Sequence, residues 1–261
     1  MSESERVLVE VTLPAPVDDV WRALRDPAEI RRWFGWEYGD DDPTDAGAST
    51  GLDAEIHSIF VDMAEAAQDE RSLTWDQGDR FTLEPDGQRT ILRVTRAAPA
   101  DDASRDDVYD DISEGWITFV QHLRFALDRH RGEDRRTVYL DGRAADVDGF
   151  PVEAALELTD VAALSPGSPY DTTAATGDRL TGQVWFRTAH QFGITVEQFG
   201  DGLLVIGDQP PATHPPHGGG WILISAYGMD DAAFDELHRR WARWWRERYR
   251  PAGDGGEHGD Q

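Results

Sequence analysis

The sequence predicts an α+β fold in which an antiparallel sheet wraps around a long C-terminal helix, followed by a second, shortened α+β lobe of similar order. Residues 112–130 place apolar side chains at a helical period on one stripe and charged side chains on the opposite face. Residues 230–249 repeat this pattern with a stripe rich in Trp. A run of strand-like segments precedes each helix and supplies the apolar surface that an aromatic-rich helix needs.

The first half begins with a strand and two short helices. Residues 6–13 alternate apolar and polar side chains, which is the period of a strand, and two prolines end the segment. Residues 17–24 have helical spacing, with two acidic residues in the first turn, where the helix dipole favours them. Residues 28–34 predict one or two further helical turns, and the Gly- and Asp-rich residues 37–51 predict a surface loop.

An antiparallel meander is predicted before the long helix of the first half. Four segments have the length and apolar content of strands: residues 54–61, 71–75, 79–84 and 89–97. Between the last two lies Pro85-Asp86-Gly87, which is typical of a hairpin turn and makes that pair antiparallel. Several Asp residues then lead into the helix, whose N-terminus favours negative charge.

Three ordered segments of the first half resemble one known family. They are LPAPVDDVWRALRDPAEIRRWFG, LTWDQGDRFTLEPDGQRTILRVTRAAP and EGWITFVQHLRFAL. They resemble the opening, central hairpin and closing helix of the bacterial activator of heat-shock-protein-90 ATPase homologue group, within the START-like, or SRPBCC, superfamily. The resemblance covers about residues 7–131 and implies a helix-grip fold. It implies little about activity, because that superfamily includes ligand carriers, cyclases and chaperone regulators.

The second half predicts a similar order of elements. After a polar hinge at residues 131–136, the segments are a short strand at 137–140, a helix-like segment at 152–164, a loop at 165–177, strands at 179–187, 193–198 and 203–206, a loop at 210–220 and a strand at 221–227. The Trp-rich helix then closes the unit.

Two domains and a tail follow from this pattern. We predict a START-like helix-grip domain over residues 1–131, a second, shortened START-like lobe over residues 137–250 and a disordered tail over residues 251–261. The alternative for the second half is an extension that packs on the first domain.

The chain is strongly acidic. Its 51 Asp and Glu residues outnumber 25 basic residues, all of them Arg, and its formal net charge is −26. GC-rich codon usage and a salt-adapted surface would each explain this composition. In either case the charge repels nucleic acid and anionic membranes, so we expect neither as a partner. A small apolar ligand or a protein partner remains open, and the protein would be a monomer or a dimer.

Two absences in the sequence narrow the chemistry and the expected location. The sequence has no Cys, which excludes disulfides, thiolate metal ligands and Cys nucleophiles. Its first residues lack the pattern of a signal peptide, and no apolar run is long enough to span a bilayer. We therefore expect a cytoplasmic protein.

A sheet curled around a helix commonly leaves a cavity lined by the inward side chains of both. In the family that the chain resembles, ligands bind in this groove. The candidate ligand-binding residues of the first lobe are Trp33, Phe34, Ile56, Ile59, Trp75, Phe81, Trp116, Phe119, Val120 and Leu123. The alternative is that these side chains fill the core, which for any single one of them is the commoner role.

The histidines do not define a catalytic site. His57, His122 and His190 have no partner set that the sequence establishes, and a solvated or hydrogen-bonded role is favoured for His122, so we predict no catalytic residue. His214 and His217 have a metal-like spacing but lack a third ligand nearby.

Metal and cofactor motifs give no stronger signal. The acidic residues at 40–45 lack the ligand pattern of a calcium loop, and no phosphate-binding or dinucleotide motif occurs. We therefore predict neither a metal site nor a cofactor.

Three functions are compatible with these features. We favour a START-like protein that binds a small hydrophobic or aromatic ligand between sheet and helix, because aromatic residues are enriched on the inward elements. The alternatives are a chaperone-activator-like protein-interaction module and an aromatase/cyclase-type enzyme, in which a cavity orients a reactive chain. A filled core argues against the carrier and the cyclase, whereas an open cavity with a buried ionisable pair favours the cyclase.

Overall fold

The computed structural model describes residues 4–37, 51–76, 78–98 and 110–251 of the chain. The chain divides into two compact units, Met1–Asp134 (unit 1) and Arg135–Gln261 (unit 2). The α+β class is confirmed, because each unit has one antiparallel sheet together with helices. Most of the predicted loop at 37–51 and of the predicted tail at 251–261 lies outside the described residues. None of the described helices is both long and apolar enough to cross a membrane.

Unit 1 has a five-stranded antiparallel sheet. In chain order its elements are β1 (Ser4–Leu13), α1 (Val17–Arg25), α2 (Pro27–Ile30), α3 (Leu52–His57), β2 (Glu65–Ala67), β3 (Ser72–Thr74), β4 (Asp79–Asp86), β5 (Arg89–Ala98) and α4 (Asp111–Arg129). The strand order is β1-β5-β4-β3-β2, so the first strand pairs with the last and the others follow in reverse. As predicted, β4 and β5 form an antiparallel hairpin, but Pro85 and Asp86 belong to β4 and pair with Thr90 and Arg89, so the turn consists of residues 87 and 88.

The segment 54–61, predicted as a strand, is helical. Helix α3 continues into a π-helical turn, Ser58–Asp62, and Leu52, Ile56 and Phe60 are all buried. An interval of four residues places side chains on one face of a helix, but it also keeps them on one face of a strand, whose period is two. The strand prediction was wrong because this short apolar pattern fits both periods.

Helix α4 begins at a capped N-terminus. The carboxylate of Asp110 accepts hydrogen bonds from the backbone N–H groups of Ile112 and Ser113. Two N–H groups that have no partner within the helix are thereby satisfied, and the negative charge lies at the positive end of the helix dipole. The cap marks where the helix starts.

Unit 2 has a seven-stranded antiparallel sheet. Its elements are β6 (Arg136–Ala144), α5 (Val152–Ala155), α6 (Thr159–Ala162), β7 (Pro169–Thr173), β8 (Arg179–Arg187), β9 (Gln191–Val196), β10 (Gly202–Gln209), β11 (Gly219–Ala226), α7 (Asp231–Arg248) and β12 (Tyr249–Arg250). The strand order is β12-β6-β11-β10-β9-β8-β7. As in unit 1, the first strand, β6, pairs with the last long strand, β11, and the strands from β10 to β7 follow in reverse order. The short strand β12 lies at the other edge of β6.

Two segments of unit 2 differ from their prediction. The helix-like residues 152–164 form two short helices, because Glu157 adopts a left-handed conformation with φ +60° between them. The predicted loop at 165–177 contains β7, in which Tyr170 is the only buried residue and which pairs with β8. One buried side chain in five residues is too weak a pattern to predict a strand.

A turn with the sequence Gly-Asp-Arg occurs in both units. Gly78 and Gly177 each have φ +89°, a conformation that favours Gly. The N–H of Gly78 donates to the carbonyl of Trp75, and the N–H of Gly177 donates to the carbonyl of Ala174, both at 2.8 Å. The Asp that follows each turn therefore has an equivalent position in the two units: Asp79 is the first residue of β4, and Asp178 directly precedes β8.

Each of these Asp residues anchors a long helix. The indole N–H of Trp116 on α4 donates to Asp79, and that of Trp241 on α7 donates to Asp178, both at 2.9 Å. An Arg completes each group: Arg96 lies 2.6 Å from Asp79, and Arg240 lies 2.7 Å from Asp178. We call each set of three residues a Trp–Asp–Arg anchor.

We predict that loss of the unit 1 anchor costs far more stability than loss of a surface pair on the same strands. Asp79 and Asp86 both lie on β4 and pair with Arg residues on β5, but their side chains are 4% and 44% exposed. Asp79→Ala leaves buried donors without an acceptor and should lower the free energy of unfolding by roughly 3 kcal/mol. Asp86→Ala should change it by less than about 0.5 kcal/mol. Urea unfolding measures both, and equal effects would contradict the anchor.

Candidate functional site

The ten predicted ligand-binding residues come together in the core of unit 1. Eight of them are buried, and Ile59 and Phe119 are partly buried against the same cluster. They come from the turn after α2, from α3 and its π-helical turn, from the β3–β4 region and from α4. The structure thus assembles the predicted set from four separate parts of the chain.

The aromatic rings of this set contact one another directly. The ring centroids of Phe34 and Phe119 are 4.5 Å apart, and the Trp116 centroid lies 4.9 Å from that of Phe81 and 5.2 Å from that of Trp75. Aromatic pairs attract at centroid separations of about 4.5–7 Å. These distances are those of a packed core.

Phe60 lies within this aromatic cluster, although it was not predicted. It is fully buried, and its ring centroid lies 4.9 Å from that of Phe34 and 5.5 Å from that of Trp33. The signal that could have identified Phe60 was its four-residue interval from Ile56, which the strand prediction obscured.

A cleft of about 230 Å³ lies beside the aromatic cluster. It lies between α1, the turn after α2 and the C-terminal half of α4. Its floor is apolar and consists of Ala23, Trp33, Leu123, Ala126 and Leu127. Trp33 and Leu123 belong to the predicted set, so the cleft shares two residues with that set and one, Trp33, with the aromatic cluster.

Trp33 connects the cleft to the core. Its indole N–H donates to the carbonyl of Ala23 at 2.9 Å, which satisfies its polar atom, and its ring packs edge-on against Phe60. Because both ends of the side chain are held, Trp33 offers the cleft a fixed apolar surface.

Charged side chains surround this floor. Arg22 lies 2.8 Å from Asp19, and Arg32 lies 2.8 Å from Glu29 and 3.1 Å from Asp134. The hydrogen bonds to Asp134 and Glu29 raise the pKa of Arg32 above its usual value, so its charge is permanent. The sequence did not single out any of these residues, because they are separated along the chain.

Two further residues of the lining, His130 and Arg131, follow directly after α4. The imidazole Nδ1 of His130 lies 3.0 Å from a carboxylate oxygen of Glu133. The Nε–H of Arg131 donates to the carbonyl of Leu127 at 2.8 Å, and its Nη2–H donates to the carbonyl of Pro14. Arg131 is thus attached to both α4 and the segment after β1.

A second polar cluster lies in unit 2. A pocket of about 30 Å³ is lined by residues that include Glu153, Arg187, His190 and Asp208. Asp208 accepts a hydrogen bond from the backbone N–H of Val152 at 2.8 Å. Burial, followed by the neighbouring Glu153 carboxyl, raises the pKa of Asp208 to about 8 despite this bond. Asp208 therefore retains its proton at neutral pH.

The histidines are placed separately. His57 lies on a helix rather than a strand, and its exposed side chain is 3.8 Å from Asp62. His122 is buried, and its Nδ1 lies 2.9 Å from the carbonyl of Thr118. His190 lines the unit 2 pocket.

Among the described residues, no group of three or more His, Asp or Glu side chains is arranged to hold a metal ion. The Nδ1 of His214, in the HPPH segment, lies 3.0 Å from the hydroxyl of Thr213. The acidic cluster at 40–45 lies outside the described residues.

Comparison with known proteins identifies no family. No family model matches the sequence, and no curated protein matches it. Similar solved structures include DynU16, described as a protein of the dynemicin biosynthetic locus, with 17% identity, coverage of 94% of this chain and 96% of that chain, and a TM-score of 0.30.

Two other solved structures are described as di-domain ARO/CYC proteins. BexL, from the BE-7585A biosynthetic pathway, has 13% identity, coverage of 95% of this chain and 94% of that chain, and a TM-score of 0.32. StfQ, from the steffimycin biosynthetic pathway, has 11% identity, coverage of 92% and 91%, and a TM-score of 0.30. At these identities and TM-scores we draw no conclusion about fold or activity from the likeness.

We predict that Asp208 makes stability depend on pH. Its pKa is about 8 in the folded protein against an ordinary value of 3.8, so the folded state binds more protons between these values. The free energy of unfolding should therefore fall as the pH rises through this window. Asp208→Asn should lose less stability than the wild type between pH 5 and pH 8, measured by urea unfolding.

The control for this prediction is Asp231→Asn, which removes a carboxylate that is 97% exposed in the same unit. It should keep the pH dependence of the wild type. An Asp208→Asn variant with the same loss of stability as the wild type would show that Asp208 is ionised throughout this range.

Proposed function

We propose that this protein binds a small hydrophobic or aromatic molecule in the cleft of unit 1. The observation that carries this proposal is the apolar floor of the cleft, which shares Trp33 with the aromatic cluster. The cleft holds about 230 Å³, less than the ~300–1,000 Å³ of pockets for drug-sized ligands. A molecule with one or two rings suits this size.

The packing of the cluster favours the cleft over the space between sheet and helix. A ligand placed there would have to separate rings such as those of Phe81 and Trp116, whose centroids are 4.9 Å apart. A ligand in the cleft contacts Trp33 and Leu123 without disturbing these pairs. In this proposal the other eight predicted residues act by holding Trp33 and α4 in place.

Two small side chains leave the space that the ligand occupies. Ala23 on α1 and Ala126 on α4 both line the cleft and are nearly fully buried. Larger apolar residues at these positions would extend into the cleft, so the floor combines two small residues with the larger surfaces of Trp33 and Leu127. Covering this floor removes apolar area from water, which contributes roughly 25 cal/mol per Å².

We also propose that each unit is a helix-grip lobe of the START-like kind, over residues 1–131 and 137–250. The shared strand order and the shared Trp–Asp–Arg anchor support this assignment. For the first lobe, the resemblance of residues 7–131 to the chaperone-activator group also supports the helix-grip fold. This resemblance does not support a protein-interaction role.

One observation favours an aromatase/cyclase-type enzyme as a second candidate. Asp208 retains a proton near neutral pH beside Glu153, and such a carboxyl can serve as a general acid. The adjacent pocket holds about 30 Å³, enough for about two waters at roughly 10–15 Å³ each. A reactive chain needs more room, so binding remains the main proposal.

The binding proposal predicts that a polar residue in the cleft floor weakens binding of an uncharged aromatic probe. We would titrate 2-naphthol by isothermal calorimetry and expect one site per chain. Leu127→Gln should weaken binding about tenfold. The ligand then no longer covers the apolar Leu side chain, and the free energy of binding loses about 1.4 kcal/mol.

The control is Ile112→Gln on the same helix. Ile112 is 51% exposed and does not line the cleft, so affinity should stay at the wild-type level. Equal weakening by both variants, or no saturable binding to the wild type, would refute binding in the cleft.

The enzyme candidate predicts turnover of a short poly-β-keto thioester. Aldol condensation would form a carbon–carbon bond, release water and give an aromatic absorption band with the wild type. Asp208→Asn should abolish the band and Asp231→Asn should retain it. A wild-type protein that forms no band is not a cyclase for this class of substrate.

A further inference from the structure

We propose that the unit 1 cleft selects aromatic molecules that carry one carboxylate, and that Arg131 binds this carboxylate. The inference rests on the proposed binding function and specifies the chemistry of the ligand. An apolar floor by itself does not distinguish a neutral aromatic molecule from an anionic one, so the distinction has to come from the charged residues around it.

The guanidinium of Arg131 is held in place but has donors to spare. Its two bonds to the carbonyls of Leu127 and Pro14 use one Nε–H and one Nη2–H. A guanidinium has five N–H donors, so three remain for another acceptor. Within the described part of unit 1, no carboxylate forms an ion pair with Arg131.

The other two Arg residues around the cleft already form ion pairs with carboxylates. Arg22 pairs with Asp19, and Arg32 pairs with Glu29 and Asp134. The sequence neighbour Glu133 is engaged with His130. Within the described part of unit 1, Arg131 is thus the one Arg of the cleft lining that forms no ion pair with a carboxylate.

Leu127 joins the apolar and the charged parts of the site. Its side chain belongs to the floor, and its backbone carbonyl accepts the hydrogen bond that orients Arg131. One small molecule can therefore place a ring on the floor and a carboxylate at the guanidinium. The planar guanidinium matches the two oxygens of a carboxylate and can bind both.

The charged residues of the cleft limit the ligand to one negative charge. Asp19 and Glu29 also line it, but they are paired with Arg22 and Arg32, so Arg131 is the one Arg of the lining left to bind a carboxylate, and a second anionic group would find no Arg outside an ion pair. A monocarboxylate with one or two rings satisfies the size of the cleft, its floor and its charge distribution together.

A purely structural role for Arg131 makes a different prediction. An Arg near the end of a helix often bonds the last carbonyls, and its bond to Leu127 fits that role. In that case the loss of Arg131 would alter stability and would weaken neutral and anionic ligands equally. Selectivity between two probes of the same shape therefore separates the two roles.

The test compares 2-naphthoate with 2-naphthol by isothermal calorimetry at neutral pH. We expect the wild type to prefer naphthoate by about tenfold or more, the range of a charge-assisted hydrogen bond. Arg131→Gln should remove this preference and keep the affinity for naphthol. Arg89→Gln removes an exposed Arg elsewhere in unit 1 and should keep the preference.

The salt dependence of binding gives a second measurement. Salt screens the attraction of Arg131 for naphthoate and also the repulsion of naphthoate by a chain of net charge −26, so the wild type is compared with Arg131→Gln: rising ionic strength should weaken naphthoate binding more, or strengthen it less, in the wild type, and should leave naphthol binding unchanged in both. Equal affinity of the two probes, or a preference that survives in Arg131→Gln, would overturn the role of Arg131 and leave the binding function intact. Failure of both probes to bind would overturn the proposed function and this inference with it.

Discussion

A carboxylate beside the sheet bonds to the long helix of each unit. Asp79 is 4% exposed, and such burial of a charge is costly unless donors surround it. Trp116 and Arg96 supply those donors in unit 1, and Trp241 and Arg240 do so for Asp178 in unit 2. In unit 1 the indole N–H comes from α4 and the guanidinium from β5, whereas in unit 2 both donors come from α7, so in each unit a shift of the helix would break its hydrogen bond to the carboxylate.

The position of α4 then determines what each of its halves can do. Trp116, in the N-terminal half, lies against Trp75 and Phe81, so that half belongs to the packed aromatic core. The C-terminal half carries Ala126 and Leu127, which line the cleft together with residues of α1 and of the turn after α2. One helix thus provides both the rigid core and the floor of the proposed binding site.

The sequence predicted the elements that a few neighbouring residues determine. It missed the features that depend on contacts between residues far apart in the chain. The stripes at 112–130 and 230–249 and the turn at Pro85-Asp86-Gly87 each carry their signal within a few residues. The Gly-Asp-Arg turn does not, because its role depends on Trp residues 37 and 63 positions away from the Asp. The cleft was missed for the same reason, since Arg131 meets Pro14 across 117 residues.

The most direct measurement is a crystal structure of the protein soaked with 2-naphthoate. We expect the rings on the floor formed by Trp33 and Leu127, with the carboxylate on the guanidinium of Arg131 and the aromatic core unchanged. Naphthoate between the sheet and α4, with the rings of Phe81 and Trp116 separated, would contradict binding in the cleft. So would a cleft that stays empty at a saturating concentration.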